Sequence, residues 1–319
     1  MDEHIPVLVE EALHGLGLGA ESSQAPLDGL YVDATFGRGG HSARILERLG
    51  PAGRLLAFDR DPQAIDAARR RFGEDPRFVV VHSAFGALES LVAAHGGGRP
   101  CRGILFDLGV SSAQLDQAER GFSFGKDGPL DMRMDPTRGA SAAQWLATAR
   151  LDEIRDVIAR LGEERFAPRV ARAIVAAREA APVTRTAELA RIVAGAVRTR
   201  EPGKNPATRT FQAIRMHVND ELGEIERALK DAVDVLAPGG RLAVISFHSL
   251  EDRLVKQFLR RESSPDPALA ELPILPPGTE PRMALVGRKV KPGEAEVARN
   301  PRSRSATLRV AERVDGVAS

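Results

Sequence analysis

Cysteine, tryptophan and tyrosine are nearly missing from this chain: one of each in 319 residues, with aromatics at 4% of the total. The single Cys101 excludes an internal disulfide and a cysteine-rich zinc site, and no metal is expected. No run of about 18 apolar residues occurs, so no segment reads as a membrane-spanning helix. The opening MDEHIPVLVEEAL is acidic and has no apolar signal-peptide core, which sets the expectation of a cytoplasmic protein. So few aromatics argue against a broad platform for stacking nucleic-acid bases. What the chain does have is an ordinary 43% of hydrophobic residues, enough for a full core. Its length fits one large domain or two ordinary ones.

Net charge is only +1, but it is unevenly spread. Residues 138 to 218 hold 15 Lys/Arg against 8 Asp/Glu, a local balance of +7 that leaves −6 for the rest. A basic middle segment on an acidic remainder points either to a polyanionic partner or to an arginine-rich solvated helical surface.

Strand and helix patterns alternate through the first third. Strands are predicted at Leu30–Ala34, Arg54–Phe58, Phe78–Val81 and Gly103–Phe106, with helices at Ser42–Leu49, from Pro62, and at Ala87–Ala94. Residues 108 to 136 read as a loop, and 140 to 200 as helices without a convincing strand. The α/β rhythm resumes at Asn219. A strong amphipathic helix through Leu222, Ile225, Leu229 and Val233 ends at Pro238-Gly239-Gly240. Arg241–Phe247 is the next strand, followed by a helix at Leu250–Arg261 and a Pro-rich loop over 265 to 282. Met283–Val290 and Ala306–Ala311 read as final strands. Alternating βα units imply a mostly parallel sheet, whose ligands sit beyond the carboxyl ends of the strands.

Those strand ends carry the chemistry. VDATFGRGGHSARIL, from Val32, reads as a strand, a glycine turn and a helix start. Glycines permit positive φ and close approach of a ligand, and the helix N-terminus attracts a carboxylate or phosphate. No Gly-Lys-Ser/Thr follows, which excludes a P-loop. Asp59, 22 residues beyond Gly37, suits a ribose diol and disfavours NADP. NAD and S-adenosylmethionine both satisfy that argument. Asp33 separates them: a pyrophosphate is repelled by a nearby carboxylate, whereas an ammonium or sulfonium is not. The competing structural readings are a loop cap for Asp33 and a helix cap before Pro62 for Asp59.

An ordered series of motifs runs nearly end to end: HIPVL from His4, DATFGRGGHS from Asp33, AFDRDPQAI from Ala57, DLGVSSAQLD from Asp107, then ERGFSF and GPLDMRMDP. ATRTFQAIR from Ala207, LAPGGRLAVISFHSLEDR from Leu236 and NPRSRSATLR from Asn300 complete it. On these motifs the chain resembles the bacterial 16S ribosomal RNA cytosine-N4 methyltransferases of the RsmH (MraW) type. The resemblance implies a class I (Rossmann-like) α/β methyltransferase fold, a mostly parallel seven-stranded sheet with an inserted helical subdomain. The expected boundaries are 1–136 plus 215–319 for the S-adenosylmethionine-binding domain and 137–214 for the substrate-recognition insertion.

By the same resemblance, Gly39, Gly40 and His41 contact S-adenosylmethionine, Asp59 holds its ribose, Phe85 lies against adenine, and Asp107 and Gln114 complete the pocket. Asp107, with backbone carbonyls near Val110 and Ser111, is expected to face the target amine, making Asp107 and Ser111 candidate catalytic positions. His248 is a candidate proton acceptor, with a structural histidine as the plainer reading. Phe122, Phe124 and His248 are candidates to stack on the base. Asp131, Arg133 and Asp135 lie in a loop read either as a cover for the site or as self-contained. Arg165, Arg169, Arg172, Arg209 and Arg215 are candidate phosphate contacts. The expected partner is 16S rRNA or the 30S subunit, with no membrane; oligomeric state stays open, a homodimer included. Three rivals remain at this point: an NAD-dependent oxidoreductase, a non-catalytic RNA-binding or ribosome assembly factor with a relic cofactor pocket, and a methyltransferase with the same cofactor acting on DNA or a protein.

Overall fold

A computed structural model describes residues 6–19, 28–197, 205–265, 276 and 279–314. The start of HIPVL and most of the Pro-rich loop lie outside the described residues. The chain divides into two compact units, Met1–Gly109 with Leu222–Ser319, and Val110–Glu221.

In the first unit, α1 (Val9–Gly15) precedes three strand–helix repeats: β1 (Leu30–Asp33), α2 (Gly40–Arg48), β2 (Arg54–Asp59), α3 (Pro62–Phe72), β3 (Phe78–His82) and α4 (Leu88–His95), with a 3-10 turn at Phe85–Ala87; β4 (Cys101–Asp107) closes the series. The helix at α3 starts where Pro is pre-set for the first turn and where Asp61 accepts a hydrogen bond from the Gln63 N–H at 3.0 Å. The cap before Pro62 is therefore Asp61, and Asp59 is not used for it.

The second unit is helical. It holds α5 (Ser112–Asp116), α6 (Ala142–Thr148), α7 (Leu151–Gly162), α8 (Ala167–Ala180), α9 (Thr186–Ala196) and α10 (Thr208–Val218). Its own core gathers Ile154, Ile158, Val170, Ile174, Leu189, Val193 and Phe211 from the helices. Phe122, Leu130, Met132 and Met134 pack into that same core, so the unit begins at Val110 rather than at 137. Asn219 fastens this stretch: its amide donates to the Met132 carbonyl at 2.7 Å and accepts from the Met134 N–H at 2.8 Å. Met132 takes a left-handed conformation, φ 62°, which these bonds hold.

The first unit resumes with α11 (Glu221–Val235), β5 (Leu236–Ser246), α12 (Ser249–Glu262), β6 (Met283–Leu285), α13 (Glu294–Arg299) and β7 (Thr307–Arg313). The seven strands lie in the order β3-β2-β1-β4-β5-β7-β6. β1 to β5 are parallel, and β7 runs antiparallel to both β5 and β6. Strand residues alternate between two cores, as the pleat requires. Val32, Phe58, Ile104, Phe106 and Val244 pack with α11 and α12 on one face. Tyr31, Leu55, Ala57, Leu105 and Ile245 pack with α1, α2 and α3 on the other.

Two strands depart furthest from the sequence reading. β5 starts at Leu236 instead of Arg241, because Leu236 pairs Cys101 and Arg241 pairs Gly103 across a register shift that accommodates Pro238-Gly239-Gly240. The predicted strand Met283–Val290 breaks at Gly287, φ 67°, leaving β6 at three residues and Val290 bridged to Leu308.

Candidate active site

β1 sits where the sheet's connection order reverses, between β2 and β4. In open α/β sheets this is the ligand crevice. Three aspartates end the three strands there, and each is held differently.

Asp33, at the end of β1, is 1% exposed. It accepts from the Ser42 hydroxyl at 2.6 Å and from the Thr35 N–H at 3.2 Å, tying the glycine loop to α2. The loop-cap reading of Asp33 is thus realised, and its charge acts on a ligand from behind the loop. Asp59, at the end of β2, accepts from the Gly37 N–H at 2.7 Å and the Asp61 N–H at 2.8 Å, one through each oxygen. A carboxylate has about four lone-pair sites, so acceptor capacity remains on both oxygens. Asp107, at the end of β4, is set by its own N–H, which donates to the Thr35 hydroxyl at 2.6 Å. Its Oδ2 lies 3.5 Å from His41 Nδ1, and its Oδ1 is buried with no hydrogen-bond partner among the described residues.

The three carboxyls are costly to ionise together. Burial pushes Asp107 up to about 6, offset by His41 and reinforced by Asp33 and Glu251. Burial likewise pushes Asp59 up to about 6, against the two backbone N–H groups that favour its charge. Asp33 is raised by burial despite its bond from Ser42. Such a crevice favours a cation and repels a pyrophosphate.

The helix α2 supplies the opposite end of the polarity. Gly39 is its N-cap at φ 72°, and a Cβ there would lie 2.5 Å from the Phe36 ring. The N–H groups of the first turn, at Gly40, His41 and Ser42, point away from the helix body, as at any helix start. His41 is buried, with Nε2 2.9 Å from the Val7 carbonyl oxygen. Phe85 stands edge-on to Phe106 at 5.5 Å, half-buried beside β4.

His248 is the N-cap of α12. Its Nδ1 accepts from the Glu251 N–H at 3.4 Å, and its Nε2 lies 3.0 Å from Glu251 Oε1. Glu251 is fully buried and accepts from the N–H groups of Phe247 and His248 at 2.8 and 3.2 Å. This geometry is that of the plainer reading, a histidine that caps a helix. Thr35 and Glu251 went unassigned in the sequence. The x-x-x-Glu spacing after His248 is the signal that marks Glu251 as half of a capping box.

The remaining candidates belong to the helical unit. Ser111 caps α5: its hydroxyl accepts from the Gln114 N–H at 3.3 Å, while the Gln114 side chain accepts from the Ser111 N–H at 3.0 Å. Phe122 is in that unit's core, and Phe124 packs edge-on against Phe211 at 5.1 Å, so both rings are employed in packing. Asp131 and Arg133 bond one another at 2.8 and 2.7 Å, the self-contained arrangement. Among the five arginines, Arg165 and Arg172 are exposed and Arg169 is half-buried. Arg209 donates to the Glu163 carbonyl at 3.2 Å. Arg215 is held by a two-bond fork to Glu221, 2.7 Å each, and is spent on structure instead of phosphate.

A family model described as the MraW methylase family matches residues 1–314. Among solved structures, an rRNA methylase from Streptococcus thermophilus is similar at 12% identity and TM-score 0.44, covering 98% of this chain and 100% of that one. A Streptococcus mutans protein crystallised in complex with SAH is similar at 13% identity and TM-score 0.42, with coverage of 98% and 100%.

Proposed function

Because the chain belongs to the MraW methylase family, we propose that it methylates the exocyclic N4 amine of a cytidine in 16S ribosomal RNA of the small subunit. Its fold is that of class I methyltransferases, and the methyl donor is S-adenosylmethionine. The observation that carries the reading is the set of three aspartates at adjacent strand ends facing a glycine-opened helix start.

The residues present fit this donor. Asp59 retains acceptor sites for the two ribose hydroxyls. The first-turn N–H groups of α2, at Gly40 to Ser42, suit the methionine carboxylate. The buried, unpartnered Oδ1 of Asp107 suits a donor group. Phe85 would flank the adenine. Bound there, the donor supplies a methyl already activated on a sulfonium.

Cytosine N4 has its lone pair delocalised into the ring and is a poor nucleophile. The protein's task is to align the amine and accept its hydrogens. Asp107 in its ionised form accepts a hydrogen bond from N4–H and takes up the proton that N4 loses as the new N–C bond forms. A base inside a helix must leave its stack to reach such a crevice. The helical unit brings the exposed Arg165 and Arg172, suited to backbone phosphates. Work on ribosomal RNA makes the cytoplasm the expected compartment.

Labelled methyl transfer to small subunits lacking the modification, followed by nucleoside mass analysis, tests the reading. N4-methylcytidine is expected, and a methyl on ribose or on C5 would overturn it.

A further inference from the structure

The outer edge of the sheet carries a second cationic surface, distinct from the helical unit's arginines. Lys256 and Arg260, one turn apart on the exposed side of α12, line one cavity of about 170 Å3 with Arg288 and Lys289 from the segment after β6. No carboxylate among the described residues lines it. Arg309 also borders the cavity but is neutralised by Asp252, at 2.8 and 3.1 Å. The other four cations make no ion pair or side-chain hydrogen bond among the described residues. Four uncompensated charges around one small cavity repel each other, in a chain whose net charge is only +1. Next to them Leu285 is 56% exposed, and so is Val290 at 37%; these are two of the four exposed large hydrophobic residues among those described.

Strand register fixes where this surface lies. Asp107 pairs Ile245, Ile245 pairs Leu308, and Leu308 bridges Val290, so Lys289 adjoins the row of residues that ends in Asp107. Three strand spacings of roughly 4.8 Å put Val290 about 14 Å from Asp107. That is about four stacked nucleotides along a single strand.

We propose that this groove holds the phosphate backbone of the substrate RNA a few nucleotides from the target base. The inference rests on the reading of the protein as an RNA methyltransferase. Phosphates supply the missing counter-charge.

The test uses the full chain and small ribosomal subunits lacking the modification. R288Q/K289Q and the fourfold variant adding K256Q and R260Q are compared with R69Q/R70Q, which removes from α3 the same two charges as the double variant. Binding is measured between about 50 and 200 mM salt, with methyl transfer alongside. For the fourfold variant, the slope of log affinity against log salt should flatten by about 2 to 3. The apparent KM for subunits should rise at least tenfold, while kcat at saturation and S-adenosylhomocysteine affinity stay within twofold. R288Q/K289Q should show about half the change in slope, and R69Q/R70Q none. Unchanged slope and KM in both groove variants, or an equal loss in R69Q/R70Q, would overturn the groove. If wild-type protein transfers no methyl to the RNA, the functional reading fails instead. S-adenosylhomocysteine binding by the double variant shows that fold is retained.

Discussion

His41 lies between two acceptors: its Nε2 is 2.9 Å from the Val7 carbonyl oxygen and its Nδ1 is 3.5 Å from Asp107 Oδ2. A carbonyl oxygen only accepts, so Nε2 carries its hydrogen. A neutral ring would then turn a lone pair toward the carboxyl oxygen. A positive charge on the ring makes the contact attractive and favours the ionised form of Asp107.

This geometry predicts a movable acid limb in the pH–rate profile. Asp107 must be ionised to accept the amine hydrogen, and burial places its titration at about 6, with His41 opposing the rise and Asp33 and Glu251 adding to it. Methyl transfer is expected to fall as pH drops through about 6. His41→Gln keeps a donor for Val7 but removes the influence that opposes the rise of Asp107, so the limb should shift to higher pH. A limb that stays in place in the variant removes His41 from the control of Asp107.

Asp107→Asn should separate stability from activity. The folded chain holds the Asp107 proton up to about 6, against 3.8 for the unfolded group. The folded state therefore binds more protons in that window, and its stability falls as pH rises through it. Asn removes this penalty. Relative to wild type, the variant's thermal midpoint should be higher above pH 6 and converge with it below about 4. Methyl transfer should drop by about 10² or more. A variant that binds cofactor and transfers methyl at full rate would take Asp107 out of the chemistry.

Asp59→Asn tests the ribose grip. Hydrogen bonds to a charged group contribute about 1.5 to 3 kcal/mol, so affinity for S-adenosylhomocysteine should weaken by roughly 10- to 150-fold. In wild type, the same affinity should decline as pH falls through about 6, where Asp59 takes up its proton. Calorimetric titration at several pH values checks both, and a variant with wild-type affinity would leave Asp59 as a purely structural residue.

The strand ends were the legible part of this molecule. β1, β2 and β4 are short apolar runs that each stop at an aspartate, and α11 announces itself by spacing. The stretch from Val110 to Asp135 was not legible as part of the helical unit. Leu130, Met132 and Met134 enter its core from irregular backbone, and the partner that organises them, Asn219, is more than 80 residues away. The sequence reading set a helix cap before Pro62 against the ribose role of Asp59, and only the fold shows that Asp61 takes the cap and leaves Asp59 to the crevice. Likewise a count of arginines cannot reveal that Arg215 is forked onto Glu221.

Ser111→Ala should weaken the fold more than the chemistry. Its hydroxyl closes the capping box with Gln114, an interaction of about 1 kcal/mol. The thermal midpoint should fall by a few degrees while kcat changes by less than about threefold. A loss of about 10² in kcat with the fold intact would give the hydroxyl a role at the reacting amine.

Gly39→Ala strikes both ends of the argument at once. Gly39 sits at φ 72°, where any residue with a Cβ is strained by about 1 to 2 kcal/mol. The added methyl would lie 2.5 Å from the Phe36 ring, which itself packs against Phe72 and Phe78 at 6.1 and 6.0 Å. The ring cannot retreat without disturbing that cluster, so the loop must move. Because the loop sets Gly37, whose N–H bonds Asp59, and the first turn of α2, cofactor affinity should fall together with stability. Thermal denaturation with and without S-adenosylhomocysteine measures both. Expected are a lower midpoint and a ligand-induced rise much smaller than in wild type. A variant that melts early but gains the full rise would confine Gly39 to folding and detach the loop from the cofactor.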